Sequence, residues 1–263
     1  MGVRGMLDSE TRRKLSELGV AELALAFDGQ SGPDFAAFPF EERIQHAVDS
    51  AWSIKNNSRI KSLVKLAYLR FPEADINRVI YDERRPLERH TMLDLARCSF
   101  IATATNIVIN GLSGTGKSWL GSMIAKEACK LTIRSRYIRV PDLMVEWEDA
   151  LSRNQGVKKL LRKYGNYKVL VLDEWLLEMP DERQCHFLLE LIERRYNESP
   201  TILCTQFQKK DWHIRLGGGV LADAVMDRIV HNCIWLETGQ FNVREYVAKR
   251  HEALVSAMPD RRL

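Results

Sequence analysis

The chain has 263 residues, of which 45% are hydrophobic and 28% charged, as in a globular protein long enough to bury a core. No stretch approaches the ~18 consecutive apolar residues of a membrane helix, and the N-terminus lacks the apolar run of a secretory signal, so we expect a cytoplasmic protein with no membrane partner. Five scattered cysteines without C-x-x-C spacing indicate reduced thiols and argue against a metal site built from cysteine.

The basic residues are unevenly spread along a chain whose formal net charge is only +4. Three stretches, 50–72, 128–141 and 150–172, contain lysines and arginines but no acid. Such stretches are either a footprint for a polyphosphate or ordinary solvated faces, and charge alone leaves both interpretations open. Their bases are Lys55, Arg59, Lys61, Lys65 and Arg70; Lys130, Arg134, Arg136 and Arg139; and Arg153, Lys158, Lys159, Arg162, Lys163 and Lys168.

The first third of the chain has the periodicity of helices. Leucines recur at roughly helical spacing over 8–27, where Asp8 or Ser9 can cap a single helix. A loop rich in Gly, Ser and Pro occupies 29–39. A second helix is predicted over 40–71, with two acids in its first turn and the first basic stretch in its second half. A shorter helix is predicted over 87–100.

The segment 106–120, NIVINGLSGTGKSWL, joins a β-branched run to a glycine-rich loop. Residues 111–118 fit G-x-x-x-x-G-K-[ST], in which glycines let backbone N–H groups close on phosphate oxygens. Lys117 should reach the β- and γ-phosphates, and Ser118 should ligate Mg²⁺. A strand pattern before the loop and a helix pattern after it disfavour a chance match, so we predict ATP and Mg²⁺ as cofactors. The predicted nucleotide contacts are Gly111, Ser113, Gly114, Thr115, Gly116, Lys117, Ser118 and Trp119.

Downstream of this loop, strand and helix patterns alternate, which is typical of an α/β domain with a parallel sheet. Strands are predicted over 136–140, 168–172, 201–204 and 233–236, and helices over 141–151 and 184–197, with a further helix around residue 250. The last residues, 257–263, are expected to be disordered.

The most aliphatic of these strands, 168–172, ends in Asp173 and Glu174. Downstream of a phosphate-binding loop, this pattern resembles a Walker B motif, in which Asp173 holds Mg²⁺ through water and Glu174 polarises the attacking water. The alternative, a strand that ends in solvated acids, is common in isolation. Gln206 follows the next strand and is placed to touch the γ-phosphate or the lytic water, because the carboxyl ends of strands in an open α/β sheet face the ligand.

A family resemblance follows from the order of these motifs. LARCSFIATATNIVINGLSGTGKSWL, VLVLDEW, TILCTQFQKKDW and LADAVMDRIVH come in turn after a helical N-terminal region. This order resembles the IstB-type transposition helper ATPases, relatives of the DnaC-type helicase loaders within the AAA+ superfamily. The resemblance runs from about residue 15 to about residue 244, and LADAVMDRIVH with the upstream Q-F-x-x-x-x-W is its most specific part.

The resemblance implies an α/β fold, an AAA+ P-loop core with a central parallel sheet preceded by a small all-α N-terminal domain. It also implies further site roles. Gln206 stands where the family usually has the asparagine of sensor 1. Arg228 matches the arginine finger that a neighbouring subunit points into the site. Arg244 stands at sensor 2, in Asn-Val-Arg rather than the usual Ser-Tyr-Arg, as a further nucleotide contact. The implied catalytic set is Lys117, Glu174, Gln206 and Arg228.

The implied partners are other copies of the chain in a ring or helical assembly, double-stranded DNA, and a DDE-type transposase whose target the protein helps to select. We expect a helical N-terminal domain over 1–85 and an ATPase domain over 86–256. Because no aromatic residue interleaves with the bases from Lys158 to Lys163, phosphate contact is favoured there over base stacking. The candidate DNA contacts are Lys55, Arg59, Lys61, Lys65, Lys158, Lys159, Arg162 and Lys163.

Three alternative functions use the same motifs. A helicase loader has the same ATPase core but a different partner and prefers single strands; the long N-terminal region without zinc-ligand spacing favours the transposition helper. A small-molecule P-loop kinase needs a lid and a substrate carboxylate, and it leaves Arg228 and the basic stretches without a use. An architectural DNA-binding protein with a vestigial ATPase is disfavoured by the intact Lys117, Asp173 and Glu174.

Overall fold

The structure, a computed structural model, describes residues 7–32, 35 and 37–256, with residues 251–256 given by their backbone alone. The predicted disordered tail, 257–263, lies outside the described residues. The chain divides into two compact units, Met1–Ser62 and Leu63–Leu263. The unit boundary falls earlier than the predicted domain boundary at 85, because residues between 63 and 85, Ala67, Leu69, Ala74 and Val79 among them, are buried in the core of the larger unit.

The N-terminal unit is helical. Its helices are α1 (Ser9–Glu17), α2 (Glu22–Asp28) and the start of α3 (Phe40–Leu66). The single helix predicted over 8–27 is therefore wrong: the chain turns between α1 and α2, where Gly19 has a φ of +71° that no helix contains. Ala26, Ala47 and Ala51 form the small buried core of this unit.

Helix α3 continues into the larger unit and ends at Leu66, five residues before the predicted end at 71. Tyr68 stops it, because its φ of +51° lies in the left-handed region that a right-handed helix cannot use. The placement of Arg70 on this helix is therefore wrong, since Arg70 lies in the connection that follows.

The larger unit alternates strands and helices, as the sequence predicts. Its strands are β1 (Asn106–Asn110), β2 (Ser135–Arg139), β3 (Val169–Asp173), β4 (Thr201–Thr205) and β5 (Cys233–Glu237). Its helices are α4 (Arg89–Ala96), α5 (Lys117–Lys130), α6 (Val140–Leu151), α7 (Gly156–Gly165), α8 (Glu182–Glu193), α9 (Lys209–Arg215), α10 (Gly219–Val230) and α11 (Val243–Ser256), with short 3₁₀ turns at Ile76–Arg78 and Ser99–Ile101.

All five strands are parallel, in the order β2-β3-β4-β1-β5. Side chains alternate between the faces of the sheet: Ile107 and Ile109 belong to the core on the side of α5, and Val108 belongs to the core on the side of α8 and α10. This two-sided burial explains the aliphatic runs of the central strands. It also brings the carboxyl ends of β1, β4 and β3 side by side.

Arg195 lies in the core, where it is only 2% exposed, and its hydrogen bonds link the segments that lead into two of these strands. Its guanidinium donates to the Thr201 hydroxyl at the start of β4 and to four backbone carbonyls of residues 164, 165, 167 and 200. Each nitrogen therefore has an acceptor. Burial lowers the pKa of Arg195 to about 9, which still leaves it charged at neutral pH.

None of the helices in the described part of the chain is both long and apolar enough to cross a membrane. The five cysteines are free thiols, as predicted, and all except Cys233 are buried.

Candidate nucleotide-binding site

A cavity of about 550 Å³ opens at the carboxyl edge of the sheet, where β1, β3 and β4 end. Clefts of this size hold nucleotides and other small ligands. One wall is apolar and includes Phe71, Ile80, Val243 and Val247. The predicted site residues that line the cavity are Ser113, Gly114, Gly116, Lys117, Ser118, Trp119, Asp173, Glu174, Gln206 and Arg244.

The loop 111–118 has the backbone that a phosphate-binding loop needs. Gly111, Gly114 and Gly116 have φ values of +152°, +85° and +92°. Close neighbours forbid a side chain at two of them: a Cβ on Gly111 would lie 2.0 Å from the Thr238 hydroxyl, and one on Gly114 would lie 2.4 Å from Oδ1 of Asn242. Glycine is therefore required for both conformation and space.

Several backbone N–H groups of the loop have no hydrogen-bond acceptor. Within the described part of the chain, no hydrogen bond is donated by the backbone N–H of Leu112, Ser113, Gly114 or Gly116. Successive N–H groups without partners form an anion-binding nest, and α5 begins at the end of the loop with its N-terminus pointing the same way. This observation fits the loop to a polyphosphate without reference to its sequence pattern.

Lys117 lies at the mouth of the loop. Its ammonium donates to the carbonyl oxygens of Gly111 and Leu112 at 2.7 and 2.8 Å. Burial lowers its pKa. An ammonium has three donors, so a phosphate oxygen can take the third or displace a carbonyl.

Thr115, although predicted as a nucleotide contact, turns its side chain away from the cavity. The buried hydroxyl donates to the Leu112 carbonyl at 2.8 Å and shares a 2.7 Å hydrogen bond with the Thr238 hydroxyl. Its side chain therefore supports the loop, and only its backbone is left for a ligand. The Gly111 side of the loop is likewise packed against Thr238 and does not line the cavity.

Asp173 is 2% exposed at the end of β3. Tyr137 of β2 donates its hydroxyl to one carboxylate oxygen, and the Glu174 N–H donates to the other at 2.9 Å. Burial, with Asp173 as the next cause, raises the pKa of Tyr137, so the phenol stays protonated and holds the carboxylate in place.

The chemistry of Asp173 and Ser118 fits a magnesium ion shared with phosphates. No group of three or more His, Cys, Asp or Glu side chains suited to a metal occurs among the described residues. Mg²⁺ does not need one, because it binds through one or two protein oxygens and takes its other ligands from phosphates and water. Both side chains face the same cavity as the loop.

Glu174 is held by two arginines that the sequence does not connect with it. One carboxylate oxygen accepts a 2.7 Å hydrogen bond from Arg139, at the end of β2, and the other lies 3.5 Å from Arg70. Arg70 also lies 3.6 Å from Asp173. Arg70 and Arg139, which belong to two of the acid-free stretches, thus pair with acids that lie far from them in sequence. The φ of +58° at Glu174 adds backbone strain of the kind found at functional sites.

The remaining predicted site residues divide into two groups. Gln206 and Arg244 both line the cavity with exposed side chains, and the Arg244 N–H donates to the Gly114 carbonyl at 3.2 Å. Arg228 does not line it. Its guanidinium pairs with Glu193 of α8 and donates to the Ala224 carbonyl at 2.9 Å. A role for Arg228 in a neighbouring chain's site stays a prediction.

Helix α7 presents the clearest basic face. Leu160, Leu161 and Tyr164 are buried on one side. At about 3.6 residues per turn, the four bases fall within an arc of about 140° on the other side. Lys163 pairs with Glu146 at 2.8 Å. Lys158, Lys159 and Arg162 make no ion pair within the residues that the structure describes.

The predicted bases on α3 do not share one face. Lys55 and Arg59 form one i, i+4 pair and Lys61 and Lys65 another, and at about 100° per residue the two pairs point in different directions. Lys55 donates to the Gly19 carbonyl at 2.6 Å. These four residues therefore offer a weaker phosphate footprint than α7.

Comparison with known proteins identifies the family. The sequence model of the IstB-like ATP binding proteins matches residues 13–251. The chain belongs to this family. It is 33% identical over 234 residues to the insertion sequence ATP-binding protein y4pL of Sinorhizobium fredii, a match that covers 86% of this chain and 92% of that protein.

Solved structures show the same fold. The replication initiator DnaA bound to AMPPCP and single-stranded DNA has a TM-score of 0.59 at 19% identity, over 74% of this chain and 58% of that one. The DnaC helicase loader has a TM-score of 0.55 at 21% identity, over 64% of this chain and 98% of that one. The predicted fold class, an AAA+ P-loop core with a central parallel sheet, is confirmed.

Sequence reasoning misses the supporting roles of several residues, among them Arg70, Tyr137, Arg139, Thr238 and Asn242. Strand register is the one signal that could have found Tyr137. Arg139 pairs with Asp173 across β2 and β3, so Tyr137, two positions earlier, points to the same face of the sheet. No local pattern indicates Arg70, which lies 104 residues before Glu174.

The geometry of the loop predicts that Lys117→Ala will lose ATP binding. Without the ammonium, the phosphates keep the N–H groups of the nest but lose the cation that the loop itself supplies, which should weaken affinity by about 100-fold or more. Calorimetric titration with Mg-ATP measures this loss. The matched control is Lys126→Ala on the same helix, whose ammonium donates to the Ala74 carbonyl, and it should bind ATP normally. Normal binding by Lys117→Ala would refute the site.

Proposed function

We propose that this protein is an Mg-dependent ATPase of an insertion sequence that assembles on double-stranded DNA and helps a DDE-type transposase to select its target. The observation that carries the proposal is the meeting of the free loop N–H groups, Lys117, Asp173 and Glu174 around one cavity. Membership of the IstB-like family supplies the biological context, because relatives such as y4pL are named as insertion sequence ATP-binding proteins.

In the proposed reaction, the loop N–H groups and Lys117 hold the β- and γ-phosphates, and the apolar wall with Phe71 and Ile80 takes the base. Bound Mg²⁺ would neutralise negative charge that develops on the phosphate oxygens. Two hydrogen bonds to its oxygens hold the Asp173 carboxylate in a fixed orientation for this ion. Gln206 is placed to orient the attacking water at the end of β4.

Glu174 acts as the general base in this proposal, and its contacts set a condition on the reaction. Both of its carboxylate oxygens are engaged, one 2.7 Å from Arg139 and the other 3.5 Å from Arg70, so neither is available to take a proton from water. Withdrawal of at least one arginine would free an oxygen for water. Hydrolysis should therefore be slow in the conformation that the structure shows.

A helicase loader is the alternative, and no observation of the structure favours it. The likeness to the DnaC loader, at 21% identity, is one of fold, whereas the match to the IstB-like family is one of sequence over most of the chain. The binding experiment with DNA below also separates the two, because a loader should prefer single strands.

The first prediction from this mechanism is that Glu174→Gln binds Mg-ATP but hydrolyses it about 10²- to 10⁴-fold more slowly, the usual effect of losing a positioned base. Phosphate release under saturating ATP is the measurement. Glu178→Gln serves as the control, since Glu178 lies four residues further on and is exposed outside the cavity. Near-normal turnover by Glu174→Gln would remove Glu174 from the catalytic role.

The second prediction concerns a site shared between subunits. If Arg228 acts in a neighbouring chain, Arg228→Ala should bind ATP yet lose about 10³- to 10⁵-fold in rate, the effect of removing an arginine finger. Mixtures of Arg228→Ala with Lys117→Ala, each inactive alone, should regain part of the activity. Glu193→Gln controls for loss of the Arg228–Glu193 pair. Absence of recovery at every mixing ratio would indicate a site complete within one chain.

The third prediction concerns DNA. The α7 face should contact phosphates, and each contact on duplex DNA adds about 0.9 to the slope of log affinity against log salt. Replacing Lys159 and Arg162 by alanine should therefore weaken binding equally on unrelated duplexes and reduce that slope by roughly 2 per engaged subunit.

The control for this experiment is the double variant Lys209→Ala with Lys210→Ala, which removes the same charge from exposed positions on α9. Binding is followed with ATP present, on duplex and on single-stranded DNA. An unchanged slope in the α7 variant would mean that its bases form an ordinary solvated face, and a preference for single strands would favour the loader.

A further inference from the structure

Two arginines are buried in the described part of the chain, and they differ in how their charge is satisfied. Arg195 is 2% exposed and every nitrogen of its guanidinium has an oxygen acceptor. Arg85 is 6% exposed, and its Nε is buried without any partner. Arg195 shows how this fold accommodates a buried arginine that has only a structural role, and Arg85 departs from that pattern.

Arg85 forms no ion pair among the described residues. The carboxylate that acts on it electrostatically, Asp82, is held by both Nε and an NH2 group of Arg84 at 2.7 and 2.8 Å. Burial lowers the pKa of Arg85. A buried cation is unfavourable unless its charge is paired or all its donors have acceptors. Arg195 meets the second condition, whereas Arg85 meets neither, because its Nε has no acceptor.

The position of Arg85 indicates which ligand this is. Its two terminal nitrogens donate to the carbonyls of Ile80 and Thr115, the latter at 2.9 Å. It therefore joins the apolar wall of the cavity to the phosphate-binding loop. A Cβ built on Gly116, the last glycine of the loop, would lie 3.5 Å from the guanidinium. Arg85 itself lines the nucleotide cavity.

We propose that Arg85 is a nucleotide-binding residue whose buried guanidinium is neutralised by the polyphosphate of a nucleoside di- or triphosphate. The proposal rests on the nucleotide site proposed above and adds a second cation to it. This cation lies beside Thr115 and Gly116, whereas the Lys117 ammonium bonds to Gly111 and Leu112. The protein holds this charge at some cost in stability, and the bound anion offsets that cost.

Arg85 and Lys117 contribute to phosphate binding in different ways in this arrangement. Lys117 belongs to the loop itself, and its ammonium reaches the phosphates from the loop's own mouth. Arg85 comes from the segment before β1 and bonds to the backbone carbonyl of Thr115. The charge of Arg85 attracts the phosphates in a poorly solvated setting. Its contribution to binding affinity should therefore depend on the number of phosphates and little on the base.

The test compares Arg85→Met and Arg85→Lys in the full-length chain, with Mg-ATP, Mg-ADP and adenosine as probes in calorimetric titrations. We expect Arg85→Met to bind ATP and ADP about 10- to 100-fold more weakly, and adenosine with unchanged affinity. Arg85→Lys should keep much of the ATP affinity because it keeps the charge.

The melting temperature without nucleotide separates this proposal from a purely structural role of Arg85, because loss of a structural residue would lower it. Arg85→Met should melt within about 2 °C of the parent protein or above it, because the unneutralised charge is gone. Arg195→Met is the matched control: it leaves five acceptors without their donor, so it should melt well below the parent and bind ATP normally while folded.

Three results would overturn the proposal. They are unchanged ATP affinity in Arg85→Met, an equal loss for adenosine and ATP, and a melting temperature of Arg85→Met as low as that of Arg195→Met. If Arg85→Met does not fold, the premise of an unneutralised charge is refuted. Failure of the nucleotide site itself would look different, because then the parent protein would bind no nucleotide and Lys117→Ala would match it.

Discussion

The phosphate-binding loop can hold an anion only while its N–H groups stay free and its carbonyl groups accept hydrogen bonds from other groups of the chain. Four carbonyls of the loop accept such bonds: those of Gly111 and Leu112 from Lys117, that of Gly114 from the Arg244 N–H, and that of Thr115 from Arg85. Each bond holds a peptide group in one orientation, so that no carbonyl of the loop competes with a bound anion for the N–H groups. The site is thus a property of three chain segments and not of the loop alone.

The same constraint explains why the loop is packed so closely by the segment after β5. Thr238 bonds through both its N–H and its hydroxyl to the Asn110 carbonyl, and that hydroxyl meets Thr115. Asn242 lies against Gly114. The segment that carries Arg244 is therefore also the one that supports the loop, and a movement of α11 would change the loop and the Arg244 position together.

The acids at the end of β3 lie in an unusually cationic setting. Arg70, Arg139 and the phenol of Tyr137 all donate towards Asp173 or Glu174, and Lys117 lies in the same cavity. These contacts fix the orientation of Asp173, which suits a metal ligand, and they occupy the oxygens of Glu174, which restrains it as a base. Release of Glu174 therefore requires that Arg70 or Arg139 moves.

The sequence by itself determines the elements and the motif chemistry. Aliphatic runs set β1, β3 and β4 because each is buried on both faces, and the glycines of the loop are needed by its positive φ angles. These features depend on neighbours within a few residues, so a pattern can carry them. The family resemblance rests on the same motifs.

Tertiary structure alone decides the partners of the charges. Lys130 pairs with Asp75 and Glu127, and Arg70 and Arg139 reach the acids after β3. Two bases of the stretch 128–141 and one of the stretch 50–72 are therefore paired with acids outside those stretches, and Arg136 packs over Tyr68. Helix ends at Gly19 and Tyr68 and the burial of Arg85 escape prediction as well. Charges and turns of this kind depend on contacts made across up to 104 residues, and only the folded chain brings those contacts within bonding distance.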